Sequence, residues 1–211
     1  MRFLMDIRHL DPGVDAARRP QRLDAAPLSD DAGNLASALY QLRELDPEAF
    51  GRLRGDLARC LPGLLSVEVA QIGGFTSSVV VQLLTMPIDL SDASYGTVRM
   101  LALLVALHDP DPPALTVIEE IDHGLHPYAL DLLVDRMREA SERTQIIAAS
   151  HSPTLVNRLD ASEIVVCDRD PGTGESIIPV VDADEIRRAV AGSGLDVGEL
   201  WFSGVLDGVP L

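Results

Sequence analysis

The chain has 211 residues, enough for one domain and short for two, and its 46% hydrophobic and 24% charged residues are the balance of a globular rather than a disordered protein. Its 17 basic residues are all arginine, which excludes chemistry resting on a lysine of this chain, and they stand against 33 acidic residues for a net charge of −16. Residues 1–60 hold 9 arginines and 10 acids and residues 61–211 hold 8 and 23, so no basic stretch suits a phosphate backbone, and DNA is expected only through a partner or larger assembly.

Residues 1–32, punctuated by Pro12, Gly13, Pro20 and Pro27, show no clean period and predict an extended, loop-like lead-in. Leu35, Leu39, Leu42 and Leu45 then fall on one helix face, with Asn34 as N-cap, and Asp46-Pro47 opens a second helix that runs to about Cys60. Leu65–Gln71 and Ser77–Thr85 predict a hairpin about Gly73-Gly74. From residue 90 helices and apolar strands alternate: a helix at Gly96–His108, a buried strand at Leu115–Ile118, a helix at Pro127–Ala140 and a buried strand at Gln145–Ala149. A short helix at Ser152–Leu159, strands at Ile164–Cys167 and Ile177–Val181, and a helix at Ala183–Ala191 complete the series.

This pattern predicts an α/β fold with a mainly parallel sheet flanked by helices. Residues 1–89 read as lead-in, helical segment and hairpin, and residues 90–211 as the core with a tail. Met100–Leu107, the longest strongly apolar run, is far below membrane-spanning length, and Asp6 and Arg8 interrupt the start as no signal peptide does, so a cytoplasmic protein without a membrane partner is expected. Cys60 and Cys167 form no metal-binding pattern and read as buried, reduced thiols.

Three short stretches carry polar residues where such a fold binds ligands. Leu115–Ile118 delivers Glu119 and Glu120 at a strand's carboxyl end, where one carboxylate can hold a hydrated Mg²⁺ and its neighbour can orient a water. Ser150-His151-Ser152-Pro153 follows the next strand and offers His151 to a phosphate or a reacting water. Ser94-Tyr95-Gly96-Thr97 precedes the apolar helix, and its hydroxyls, glycine and helix N-terminus suit an anion as well as they suit plain capping.

In this order the three resemble the C-terminal half of an ABC-type ATPase of the SMC/RecF/OLD-like group, a P-loop NTPase fold. Ser94-Tyr95-Gly96-Thr97-Val98-Arg99 resembles the signature motif L-S-D-G-T-L-R, with Tyr95 and the inserted Asp92-Ala93 as departures. Ile118-Glu119-Glu120-Ile121-Asp122-His123-Gly124-Leu125-His126-Pro127 resembles the Walker B and D-loop run I-E-E-P-E-x-x-L-H-P, with Ile121 for proline, and Ser150–Pro153 resembles the switch-histidine motif T-H-S-P. Gly33-Asn34-Leu35-Ala36 resembles the helical insert and Gly198-Glu199-Leu200-Trp201 the tail. No stretch resembles the G-x-x-x-x-G-K-[ST] phosphate loop, and Gly73–Ser78 lacks its lysine and spacing.

The resemblance implies ATP and Mg²⁺ as cofactors and hydrolysis of ATP to ADP and phosphate. Ser94, Gly96 and Thr97 would contact ATP held by another subunit, Glu119 would hold Mg²⁺ through water, Glu120 and His151 would be catalytic, and Asp122 would lie at the dimer contact. A homodimer or a partner bearing the phosphate loop is implied. Without that loop's strand, Leu115–Ile118 and Gln145–Ala149 are expected to keep unpaired backbone groups. Two other readings stand beside it: a non-catalytic regulator that offers its signature face in trans, and a metallohydrolase built on Glu119, Glu120, Asp122, His123 and His126.

Overall fold

The computed structural model describes residues 6–19, 21–22, 26–61, 63–72, 75–83 and 86–206, which fall into two units, Met1–Ala149 and Ser150–Leu211. In chain order the first unit holds β1 (Ile7–Leu10), α1 (Val14–Ala17), β2 (Gln21–Arg22), α2 (Leu35–Leu45), α3 (Pro47–Cys60), β3 (Leu64–Ile72), β4 (Phe75–Leu83) and β5 (Met86–Asp89). It continues with α4 (Tyr95–Leu107), β6 (Leu115–Ile118), α5 (Pro127–Ser141) and β7 (Gln145–Ala148).

Two sheets organise this unit. A parallel sheet has the order β1-β6-β7, with Ile7 opposite Leu115 and Leu115 opposite Gln145. An antiparallel sheet has the order β2-β4-β3, with β5 also on β4. The fold is therefore the mixed α/β arrangement expected, with a parallel sheet, helices and a hairpin. The turn residues Gly73 and Gly74 lie outside the described residues.

Helix α4 is the centre of the first unit. Every residue from Thr97 to Leu107 is buried, as befits a helix apolar on all sides, and it packs against α1, α2, α3 and α5. At its carboxyl end His108 Nε2 lies 2.8 Å from Asp56 Oδ2 of α3, with both side chains buried. Arg136 of α5 and Arg59 of α3 approach the same carboxylate at 3.6 and 3.7 Å. Helix α3 begins where expected: Asp46 caps it by accepting from the Ala49 N–H at 2.9 Å, and Pro47 takes the first turn.

The second unit holds α6 (Pro153–Val156), a 3-10 turn (Ala161–Glu163), β8 (Asp168–Arg169), β9 (Ser176–Ile177), α7 (Ala183–Ser193) and α8 (Val197–Phe202). Val166, Ile186, Leu200 and Leu206 form its small core, with Trp201 packed against it. Asp182 and Glu185 close a reciprocal cap at the start of α7, and Gly194 ends that helix at φ +70°.

Several expectations change. The loop-like lead-in contains β1, a strand of the parallel sheet, because Arg8 and Leu10 alternate inward while Ile7 and His9 face out. Arg8 is tolerated inside because its guanidinium meets Asp109 at 2.7 Å. With β1 on one side and β7 on the other, β6 is fully paired, so the expected unpaired edge is confined to β7. That strand is also not buried: Ile147 is 50% exposed, β7 being the last strand of this sheet among the described residues. Ile164–Cys167 is in no ladder; Val166 turns into the small core while Val165 is 64% exposed. The strand expected at Ile177–Val181 is reduced to Ser176–Ile177. The cysteines differ from expectation too, Cys60 being half-buried and Cys167 exposed.

Candidate functional site

Two structural features hold Glu119 and Glu120 at the carboxyl end of the central strand. The Glu119 N–H donates to Leu10 O at 3.0 Å, extending the pairing with β1, and the Ile121 N–H donates to Ala149 O at 3.0 Å on the other side. Between them Glu120 takes φ +46°, a left-handed conformation that a residue with a Cβ adopts at a cost. The His123 N–H then donates to Glu120 O at 2.8 Å and closes the turn. The Glu119 carboxylate is 43% exposed and meets His9 Nε2 of β1 at 3.1 Å. Successive strand-end side chains diverge, so Glu119 turns toward β1 and Glu120 is exposed.

The start of α4 lies against the same turn. Ser94 caps the helix, its Oγ accepting from the Thr97 N–H at 3.2 Å and lying 2.8 Å from the Thr97 hydroxyl. Thr97 is thereby buried, whereas Ser94 is exposed. A Cβ built on Gly96 would stand 2.6 Å from Gly124 O, so only glycine allows this approach. The Tyr95 ring covers Gly124 and meets the His123 ring edge-on at a centroid distance of 5.6 Å. Ser94, Gly96 and Thr97 therefore form one corner with the turn that carries Glu119, Glu120 and Asp122. His151 belongs to the second unit, exposed just before Ser152, which caps α6.

Two further residues at this corner escape a motif reading. His9 lies in the stretch that reads as a lead-in, and no residue pattern marks it as strand, because apolar Ile7 faces out while charged Arg8 faces in. Arg99, the sixth residue of the Ser94–Arg99 stretch, is only 2% exposed and donates to the carbonyls of Glu119 and Glu120. Among the described residues no group of three or more His, Cys, Asp or Glu is arranged to hold a metal ion, which leaves the metallohydrolase reading without a ligand set there. Also among them, no helix is long and apolar enough to cross a membrane.

The fold is that of SMC ATPase head domains. A structure from work on ATP-driven dimerization and DNA-stimulated activation of SMC ATPases matches 75% of this chain and 98% of its own, at 12% identity and a TM-score of 0.50. An SmcHead bound to the C-terminal winged-helix domain of ScpA matches 85% of this chain at 14% identity and a TM-score of 0.58, and this chain spans 56% of it. The Smc head with an extended coiled coil bound to the C-terminal domain of ScpA, from Pyrococcus furiosus, matches 74% at 12% identity and a TM-score of 0.55, with 40% of its length spanned. Residues 81–157 match the family model described as "AAA domain, putative AbiEii toxin, Type IV TA system". By this match over residues 81–157 and by its fold, the chain is similar to ABC/SMC-like ATPases of the P-loop class. No curated protein matches its sequence.

Proposed function

We propose that this chain carries the hydrolytic part of an ATPase whose phosphate loop comes from a further segment or a partner. The observation that supports it most is the single corner in which Ser94–Thr97 at the start of α4 meet the turn bearing Glu119, Glu120 and Asp122, through the approach of Gly96 to Gly124. In this reading residues 90–211 are the ATPase-like core. Exposed Ser94 and the first N–H groups of α4 bind a terminal phosphate presented by the other subunit, with Gly96 keeping the approach open and Thr97 fixing the Ser94 hydroxyl. Glu119 holds Mg²⁺ through water, and the ion supplies charge neutralisation at the phosphates when bound. Glu120 orients the attacking water and takes its proton, and His151 contacts the terminal phosphate. Asp122 lies at the contact between subunits.

The absence of lysine throughout the chain supports an external phosphate loop. The chain's span of 98% of one SMC ATPase chain but 56% of an SmcHead chain supports a complementary part as well. A second copy or a loop-bearing protein is the partner, DNA is reached only through the assembly because of the charge of −16, and the protein works in the cytoplasm.

The test is Mg²⁺-dependent ATP hydrolysis by this chain joined to a phosphate-loop segment of an SMC-type head, in trans or by fusion. Glu120→Gln is expected to cut turnover by about 10²–10⁴-fold while nucleotide binding survives. Undiminished turnover in that variant would remove Glu120 from its role.

A further inference from the structure

Arg99 is a full charge with its side chain 2% exposed, and its ion pair is a long one, 3.6 Å from Nη1 to the carboxylate of Asp11, which is itself largely exposed. Its hydrogen bonds go to backbone instead. Nη2 donates to Glu119 O at 2.8 Å and to Glu120 O at 2.7 Å, and Nη1 donates to Pro12 O at 3.1 Å. Nε has no hydrogen-bond partner among the described residues. A buried guanidinium is costly unless what it holds matters, and a neutral apolar side chain would fill the same space in an otherwise apolar helix. What it holds is the one turn of the site in which a residue other than glycine sits at positive φ, Glu120 at +46°.

We propose that Arg99 is a positioning residue that clamps the Glu119–Glu120 turn in its left-handed form, and so fixes the direction in which the Glu120 side chain leaves the backbone. The geometry suits this task. Nη2 gives its two hydrogens to the two successive carbonyls while Nη1 reaches Pro12 O, a spread over two rigidly spaced nitrogens that a lysine ammonium lacks. The Glu120 carbonyl receives Arg99 and the His123 N–H together, so both its acceptor directions are occupied and the peptide plane cannot rotate without losing both. Through Pro12 O the same side chain ties the end of β1 to the turn, and through its own helix it ties in Ser94–Thr97. This rests on the ATPase reading only for what Glu120 then does.

The test is amide hydrogen exchange on the full chain without nucleotide, reading the His123 amide, which reports the turn, against the amides of α4. In Arg99→Met the His123 amide is expected to exchange at least tenfold faster relative to α4. Adding Glu120→Gly, which adopts positive φ freely, restores its protection to within about threefold of the parent. Arg99→Lys gives an intermediate loss, and should Arg99→Met not fold, Arg99→Lys with and without Glu120→Gly carries the same comparison. A uniform change over His123 and α4, or no rescue by Glu120→Gly, would show Arg99 to be a packing residue and overturn the clamp. Hydrolysis by the chain joined to a phosphate-loop segment is read separately. There Arg99→Lys lowers kcat and leaves the KM for ATP unchanged, and equal changes in both overturn the positioning role. Absence of hydrolysis in the parent protein would count against the ATPase reading and leave the exchange result standing.

Discussion

Gly96 and Gly124 approach so closely that neither has room for a side chain: a Cβ on Gly96 meets the Gly124 carbonyl oxygen at 2.6 Å, and one on Gly124 meets the Tyr95 ring at 2.5 Å. Gly124 also sits at φ +71°, where a Cβ is strained whatever the space. Gly96→Ala and Gly124→Ala are each expected to lower stability by about 1–3 kcal/mol, measured by urea unfolding. Tyr95→Ala, which opens space over Gly124, should reduce the cost of Gly124→Ala but not that of Gly96→Ala.

Asp56 and His108 are a second pair whose members depend on each other. Asp56→Ala leaves the His108 ring nitrogen and Arg136 Nε without their shared carboxylate inside the first unit. The expected loss is on the order of 3 kcal/mol, against a smaller loss for Asp56→Asn, which keeps an acceptor for His108. Equal losses in the two variants would show that charge, rather than the hydrogen bond, is what the site requires.

The two thiols should be told apart by their reactivity. Burial pushes the Cys60 thiol up to about 11, helped by the negative charge of Asp56 and opposed by Arg59. A raised pKa means little thiolate at pH 8, so Cys60 reacts slowly, while exposed Cys167 reacts first. Labelling with an aromatic disulfide at pH 8 should show one fast thiol per chain, and Cys167→Ser should abolish that phase.

The free edge of β7 predicts self-association. Ile147, half exposed on β7, which ends the parallel sheet among the described residues, gives that edge an apolar side chain. The chain alone should elute above its 22.7 kDa mass, increasingly so with concentration. Ile147→Lys should return it to the monomer position while changing stability by no more than about 0.5 kcal/mol. Identical monomer peaks for both proteins would show that the edge is not used.

The sequence made some of these features plain and hid others for physical reasons. Helix α4 and strand β6 were legible because their apolar runs are long or sharply bounded, and Glu119-Glu120 followed from the strand's end. β1 was not, because it is only four residues long, is closely followed by Pro12-Gly13, and pairs with a strand more than a hundred residues away. β7 reads as buried because Ile146, Ile147 and Ala148 are apolar; burial depends on what lies beside a strand, which its own residues do not encode. Arg99 stood in view within a recognised stretch, but its targets are carbonyl oxygens, and those have no signature in a sequence. The run Ile164–Cys167 shows the converse, a strong strand propensity that finds no ladder and yields to packing of Val166 in the small core.

The register of Ile7 with Leu115 also bears on how the chain is made. Synthesis releases β1 well before its partner β6, which follows only after both α2 and α3, the antiparallel strands and the whole of α4 have emerged. Helices α2 and α3 adjoin in sequence and pack together, so they can meet early, whereas β1 must wait with Leu10 uncovered until Ile118 arrives. Nascent chains halted before residue 115 should therefore hold a protected helical pair and a β1 segment open to proteases, and a slow ribosome over that interval would prolong the exposure.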